Sequence, residues 1–197
     1  IVRRSSLAAL PPGPWSESAL ALDEARREQS IEVATRRCWE LSPDATSALL
    51  DELGAVTGVG RRPADDSARD WMSWEMAREL SRYGHTIGAH TVNHPILASL
   101  PQERQREEIA GSIARIEAEL GTRPRWFAYP VGVPGVFDAH SSAAAGEAGI
   151  ELAFSNYGGR VTHETFQPLD LRRVSVETLR TPGLFAAAAT LPAVFAG

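Results

Sequence analysis

Gly84-His85-Thr86-Ile87-Gly88-Ala89-His90-Thr91-Val92-Asn93-His94-Pro95 is the stretch on which both fold and chemistry turn. Its first half, His85 to Ala89, is short and carries β-branched residues, which predicts a strand. Its second half resists helix. Thr91 and Val92 are β-branched, Asn93 prefers turns, and Pro95 pushes His94 out of the α region. The two imidazoles, four residues apart, therefore fall on a strand-to-helix loop and not on one helix face. Upstream, Ser73 can cap a helix from Trp74 to Tyr83, ended by Gly84.

Downstream, Ile109, Ile113, Ile116 and Leu120 form one apolar stripe between Pro101 and Leu120, the strongest helix signal in the chain, and Gly121 stops it. Trp126 to Tyr129 reads as a second strand closed by Pro130. Asp138 caps an alanine-rich helix to Ala148, with Gly149 after it. Ile150 to Ser155 and Leu171 to Val176 read as further strands, and Thr181-Pro182 opens a last helix toward Thr190. Alternation of this kind predicts an α/β fold of parallel βα units, a barrel or an open sheet. In either, ligands gather at the carboxyl ends of the strands.

Residues 1–70 differ from this pattern. Pro11-Pro12-Gly13-Pro14 is a hard break. Glu17 to Leu41 reads as one or two amphipathic helices, and Ser42-Pro43 starts another through Leu49, Leu50 and Leu53, with Gly54 as its stop. Gly58 to Asp70 is a polar loop. The segment holds no cluster of ligand or catalytic residue types, and a helical lid or insertion is expected there, with 71–197 as the main body.

Composition bounds the rest. The chain has 197 residues, 43% hydrophobic and 23% charged, which is globular and sized for one domain. One cysteine, Cys38, excludes an internal disulfide and any four-cysteine metal site. The net charge of −5 is spread without long like-charge runs, so nucleic acid is not an expected partner. All 20 basic residues are arginine. No apolar stretch reaches the ~20 residues of a membrane span, and the start lacks a secretory apolar core. The compartment is left open, since a lone thiol suits cytoplasm and cell envelope equally. The chain opens Ile1-Val2-Arg3-Arg4 instead of with Met, which suggests a piece of a longer protein.

Five histidines in 197 residues give some pair at this spacing in about one chain in eight by chance. The plain alternative is one core and one surface histidine. Position at a strand end shifts the balance toward a metal, because loops there carry function and neutral imidazole is the commonest ligand. A catalytic zinc needs three protein ligands, so a carboxylate or another histidine from a different strand end is expected to join His90 and His94. Trp126-Phe127-Ala128-Tyr129-Pro130-Val131-Gly132 makes a rigid turn at the same end. It can present a backbone N–H to an oxyanion, and Trp126, Tyr129 and Pro130 can wall a sugar-sized pocket; the bland alternative is a core strand with a proline-rich exit. One guanidinium of Arg172-Arg173 must face inward, where it could hold a catalytic carboxylate. His140 and His163 read as exposed, His85 as core or supporting the site, and Asp65-Asp66 as a solvated loop. No phosphate-binding glycine loop and no Gly-x-Ser-x-Gly elbow occurs.

Taken together, Trp74, the Gly-His-x-Ile-Gly-x-His run ending in His94-Pro95, a long helix and Phe127-Ala128-Tyr129-Pro130-Val131-Gly132 resemble the polysaccharide deacetylases (the NodB-homology domain, carbohydrate esterase family 4). Residues 1–70 resemble the helical insertion of exopolysaccharide-type members. The resemblance implies a distorted (β/α) barrel and a metal, usually zinc or another divalent transition metal, with His90 and His94 at the two histidine positions. It implies Val131 as the backbone oxyanion donor and N-acetylated polysaccharide as substrate, deacetylated by hydrolysis. The family's aspartate pair, in a Thr-Phe-Asp-Asp-Gly motif on the first strand, has no counterpart here and is expected upstream of Ile1. Ala128 stands where many relatives carry an arginine that holds the catalytic aspartate, and Arg173 is the candidate to replace it. The alternative is a catalytically inactive member serving carbohydrate binding or assembly.

Overall fold

The structure, a computed structural model, describes residues 1–61, 71–159, 161–174 and 181–190. The chain divides into two compact units, Ile1–Ser73 and Trp74–Gly197. No helix among the described residues is long and apolar enough to cross a membrane.

In the first unit, β1 (Ala9–Leu10) and β2 (Leu20–Ala21) pair antiparallel with Leu10 opposite Leu20. Between them the proline-rich break reverses the chain around Trp15, whose buried indole donates its N–H to the Pro11 carbonyl at 2.9 Å. Helices α1 (Arg27–Trp39) and α2 (Pro43–Thr57) follow. Leu10, Trp15, Leu22, Leu49 and Leu53 share one core. Two expectations are corrected here. The stretch from Glu17 is not helical throughout, because Leu20 and Leu22 face the core by strand alternation and α1 starts only at Arg27. Gly54 does not stop α2; the helix runs on to Thr57, and Gly58, at φ 65°, takes the left-handed conformation that ends it.

The second unit follows the alternating pattern. Helix α3 (Trp74–Arg82) is followed, after the loop, by α4 (Gln102–Leu120), β3 (Trp126–Ala128), α5 (Ala139–Glu147), β4 (Leu152–Phe154) and α6 (Pro182–Thr190). The stripe on α4 is real: Ile109, Ile113 and Ile116 are buried against Phe127, Tyr129, Ala145 and Ala153. Each such side chain contributes about 1.5–3 kcal/mol by leaving water. Asp138 caps α5 through a reciprocal pair with Ser141, and the Ser141 hydroxyl reaches the buried Gln105 of α4 at 2.7 Å. That polar bridge fixes the two helices against each other.

Strands β3 and β4 pair parallel, with Phe127 opposite Ala153. Ala89 joins the other side of β3 by a single parallel bridge to Phe127, and Leu171 joins β4 by one to Phe154. The strands expected over His85–Ala89 and Leu171–Val176 are thus reduced to one bridge each, with 175 and 176 outside the described residues. Gly88 explains how closely the first segment lies: a Cβ there would stand 3.1 Å from the Trp126 carbonyl oxygen. The four segments run parallel, side by side and in chain order. Among the described residues this arc does not close on itself. The architecture is mixed α/β.

Candidate active site

The imidazole loop leaves the arc at Ala89, whose N–H donates to the Trp126 carbonyl at 2.8 Å while its carbonyl accepts from Ala128 at 2.9 Å. His90 follows directly, and its Nδ1 lies 2.6 Å from the Ala128 carbonyl oxygen. A carbonyl only accepts, so Nδ1 carries the proton and Nε2 keeps a lone pair. Thr91 and His94 both adopt positive φ, 65° and 56°. That conformation turns the chain back so sharply that the His90 and His94 rings meet edge to face, centroids 4.8 Å apart. The Thr91 hydroxyl accepts the His94 N–H at 3.0 Å and closes the turn. Partial burial lowers the His90 pKa, with the His94 and Arg173 charges adding to it and the bond to Ala128 opposing. The neutral form is therefore the favoured one at neutral pH.

At the end of β3, Val131 has φ 60°, an outlying conformation for a β-branched residue. The Gly132 N–H donates to the Pro130 carbonyl at 2.6 Å, two residues back, so Val131 is the centre of a strained three-residue turn. Gly132 is seated so closely on the next segment that a Cβ would stand 2.9 Å from the Asn156 nitrogen. Among the described residues, the Val131 N–H has no acceptor. A backbone N–H left without an acceptor, one strand over from the imidazoles, is the type of donor that an oxyanion site uses.

Arg173 donates from Nε to the Ser155 carbonyl at 2.9 Å and lies over the Phe154 ring. Its charge reaches His90, and burial lowers its own pKa. Its neighbour Arg172 instead lies over the Tyr157 ring, whose hydroxyl donates to Asp170.

The expected pocket walls are corrected. Tyr129 and Pro130 are fully buried, and the Tyr129 ring stacks on Phe137 with its hydroxyl near Ser142 Oγ and the Leu169 carbonyl. Burial pushes that phenol up to about 12. Strand alternation puts Phe127 and Tyr129 on the helix-covered face, away from Ala128. Trp126 is exposed but stands at the start of β3, where it lines a cavity of about 350 Å³ with His85, Ile87, Arg123 and Arg125. That is the end of the strands away from His90. His140, exposed, lies 3.0 Å from the Gln102 side-chain amide, and His163 is exposed. Asp65-Asp66 lies outside the described residues. Among the described residues no third His, Cys, Asp or Glu joins the imidazoles. The two imidazoles fit a transition metal as far as they go: one is oriented through its second nitrogen, as ligating histidines are.

Two residues without a flag in the sequence matter to this loop. Glu108 on α4 is 4% exposed and accepts the Val92 and Asn93 N–H groups. Gly111, one turn on, faces the Val92 side chain. The signal that could have found Glu108 was its place beside Ile109 in the apolar stripe, where a solvated carboxylate has no reason to sit.

Comparison with known proteins gives a consistent picture. The family model described as polysaccharide deacetylase matches residues 50–153, more than half of the 197 residues. The uncharacterized protein YlxY of Bacillus subtilis (strain 168) is 36% identical over 58 residues, 29% of this chain and 18% of that protein. BC0361, a polysaccharide deacetylase from Bacillus cereus, superposes with a TM-score of 0.53 at 21% identity, covering 59% of this chain and 36% of that one. IcaB from Ammonifex degensii gives 0.50 at 26% identity over 61% and 52% of the two chains. A de-N-acetylase from Aggregatibacter actinomycetemcomitans gives 0.51 at 18% identity, over 59% and 52%. This chain spans at most about half the length of each of these proteins.

Proposed function

This chain belongs to the polysaccharide deacetylase family, and from that premise we propose that it supplies the imidazole and oxyanion parts of a metal-dependent N-deacetylase of N-acetylated exopolysaccharide. In this reading the parallel arc of Ala89, β3, β4 and Leu171 is part of a distorted (β/α) barrel. The observation that carries the reading is the His90 and His94 pair at a strand end, rings 4.8 Å apart, with His90 oriented through Nδ1 by a main-chain carbonyl. Such a donor set suits zinc or another divalent transition metal, with a carboxylate outside the described residues as third ligand. Support for an acetamide as target comes from the fold shared with a de-N-acetylase.

When bound, the metal supplies Lewis acidity to the acetamide carbonyl and to water. His90 and His94 would hold it. Arg173, whose charge is felt at His90, orients the carboxylate base that takes the water's proton, standing in for an arginine at position 128. The Val131 N–H donates to the oxyanion that develops as the water oxygen adds to the carbonyl carbon. The C–N bond then breaks, the proton passes to the departing nitrogen, and the products are acetate and a free amine on the sugar.

The test is acetate release from N-acetylglucosamine oligomers by the natural gene product with zinc, compared with its His90→Ala, His94→Ala double variant. The wild type is expected to release acetate and the double variant none. Undiminished release by the double variant would overturn the metal role. Oligosaccharide binding by the wild type without any release would favour a non-catalytic carbohydrate-binding role.

A further inference from the structure

We propose that Glu108 is the positioning residue of the imidazole loop, a buried carboxylate on α4 that holds His90 and His94 in ligating register. The proposal rests on the metal reading above for its purpose, though its geometry stands apart from it. Glu108 is 4% exposed, and among the described residues no arginine pairs with it. A buried carboxylate without a cation is costly unless its lone pairs are filled. Here three donors from one loop fill them. Oε2 accepts the Val92 N–H at 3.0 Å and the Asn93 N–H at 2.8 Å, and Oε1 accepts the Asn93 side-chain amide at 2.6 Å.

The two residues clamped this way lie between the two left-handed ones, Thr91 and His94. A β-branched threonine rarely adopts that conformation without support, and left free the loop relaxes there. Relaxation at Thr91 would change the path of the chain between the two imidazoles. Gly111 adds a second contact on the same helix face, three residues after Glu108. A Cβ there would come within 3.1 Å of Val92 Cγ2, so the glycine lets the loop lie down on the helix. A glycine in mid-helix is otherwise unfavourable. Glutamate at 108 is also a specific choice: glutamine would offer one acceptor and turn its own amide hydrogens against the loop's donors.

The experiment uses the natural gene product and its Glu108→Gln variant, with two readouts. Hydrogen exchange follows the amides of Val92 and Asn93, with Ile109 and Ile113 of α4 as internal controls for folding. Zinc titration follows the imidazole carbon-bound protons of His90 and His94 by NMR. In the variant, exchange at 92 and 93 is expected to rise at least about tenfold while 109 and 113 stay protected. The zinc midpoint is expected to weaken by about tenfold to a hundredfold, the usual cost of losing a group that orients ligands. A folded variant with protected 92 and 93 amides and an unchanged midpoint overturns the proposal and leaves the metal reading intact. If the wild type takes no zinc at either histidine, the metal reading fails. Exchange at 92 and 93 then decides alone whether Glu108 holds the loop. Should Glu108→Gln not fold, Asn93→Ala removes one of the three bonds from an exposed position; an unchanged zinc midpoint in it likewise overturns the proposal.

Discussion

Ile1–Ser73 and Trp74–Gly197 are held together by the same forces and differ in where they depart from relaxed geometry. The first unit buries Trp15, Leu22, Leu49 and Leu53 between a small hairpin and two helices. Among its described residues no non-glycine residue has positive φ. The second buries Phe127, Tyr129 and the isoleucines of α4, and it contains Thr91, His94 and Val131, all left-handed and all at the ends of parallel strands. Local strain of this kind costs about 1–3 kcal/mol per residue and persists only where the surroundings impose it. The contrast separates a unit whose described backbone is relaxed from one that holds strained loops at strand ends.

The largest expected effect tests whether each unit has its own core. Trp15→Ala and Phe127→Ala should each cost about 3–5 kcal/mol. Urea unfolding followed by amide exchange in both units should show each loss mainly in its own unit. Equal loss of protection in both units from either change would make the division between them superficial.

The next effect, about 1 kcal/mol, compares two helix caps. Ser42 caps α2 with a neutral hydroxyl and Asp138 caps α5 with a carboxylate. Burial pushes the Asp138 carboxyl up, but the Ser141 N–H and hydroxyl, with the Gln105 side chain and the His140 charge, together outweigh it and hold it below the usual range. A depressed carboxyl stabilises the fold fully above its unfolded pKa of about 3.9. That part is lost as pH falls through the folded value. Asp138→Ala should therefore destabilise at pH 7 and progressively less in acid, whereas Ser42→Ala should cost the same at both. Thermal melts between pH 2 and pH 7 check this.

A third comparison makes one substitution in both units. Val131→Gly removes a β-branched side chain from a left-handed turn and should raise stability by up to about 1 kcal/mol. Val33→Gly, on the exposed side of α1, should lower it by about half a kcal/mol through helix propensity. Equal destabilisation by both would mean that the Val131 turn carries no strain.

Local signals were legible. The isoleucine stripe predicts α4, Asp138 predicts α5, and the aromatic run predicts β3, because each depends on residues within a turn or two. The single bridges at Ala89 and Leu171 were not, since strand length depends on how many neighbours a segment finds. Reading Trp126 and Tyr129 as one wall overlooked the two-residue period, which puts position 129 on the helix-covered face of the strand. The histidine loop was placed at a strand end by Pro95 and the β-branched pair alone. Glu108 could be suspected from its place in the apolar stripe, but its partners lie 15 and 16 residues away, beyond the reach of helix periodicity.

The anchor of His90 is a main-chain oxygen, and that makes it indifferent to mutation. Any amino acid at position 128 brings the same carbonyl, so the tautomer of the neighbouring imidazole does not depend on which side chain stands there. Substitution at this residue is thereby uncoupled from the orientation of the imidazole beside it.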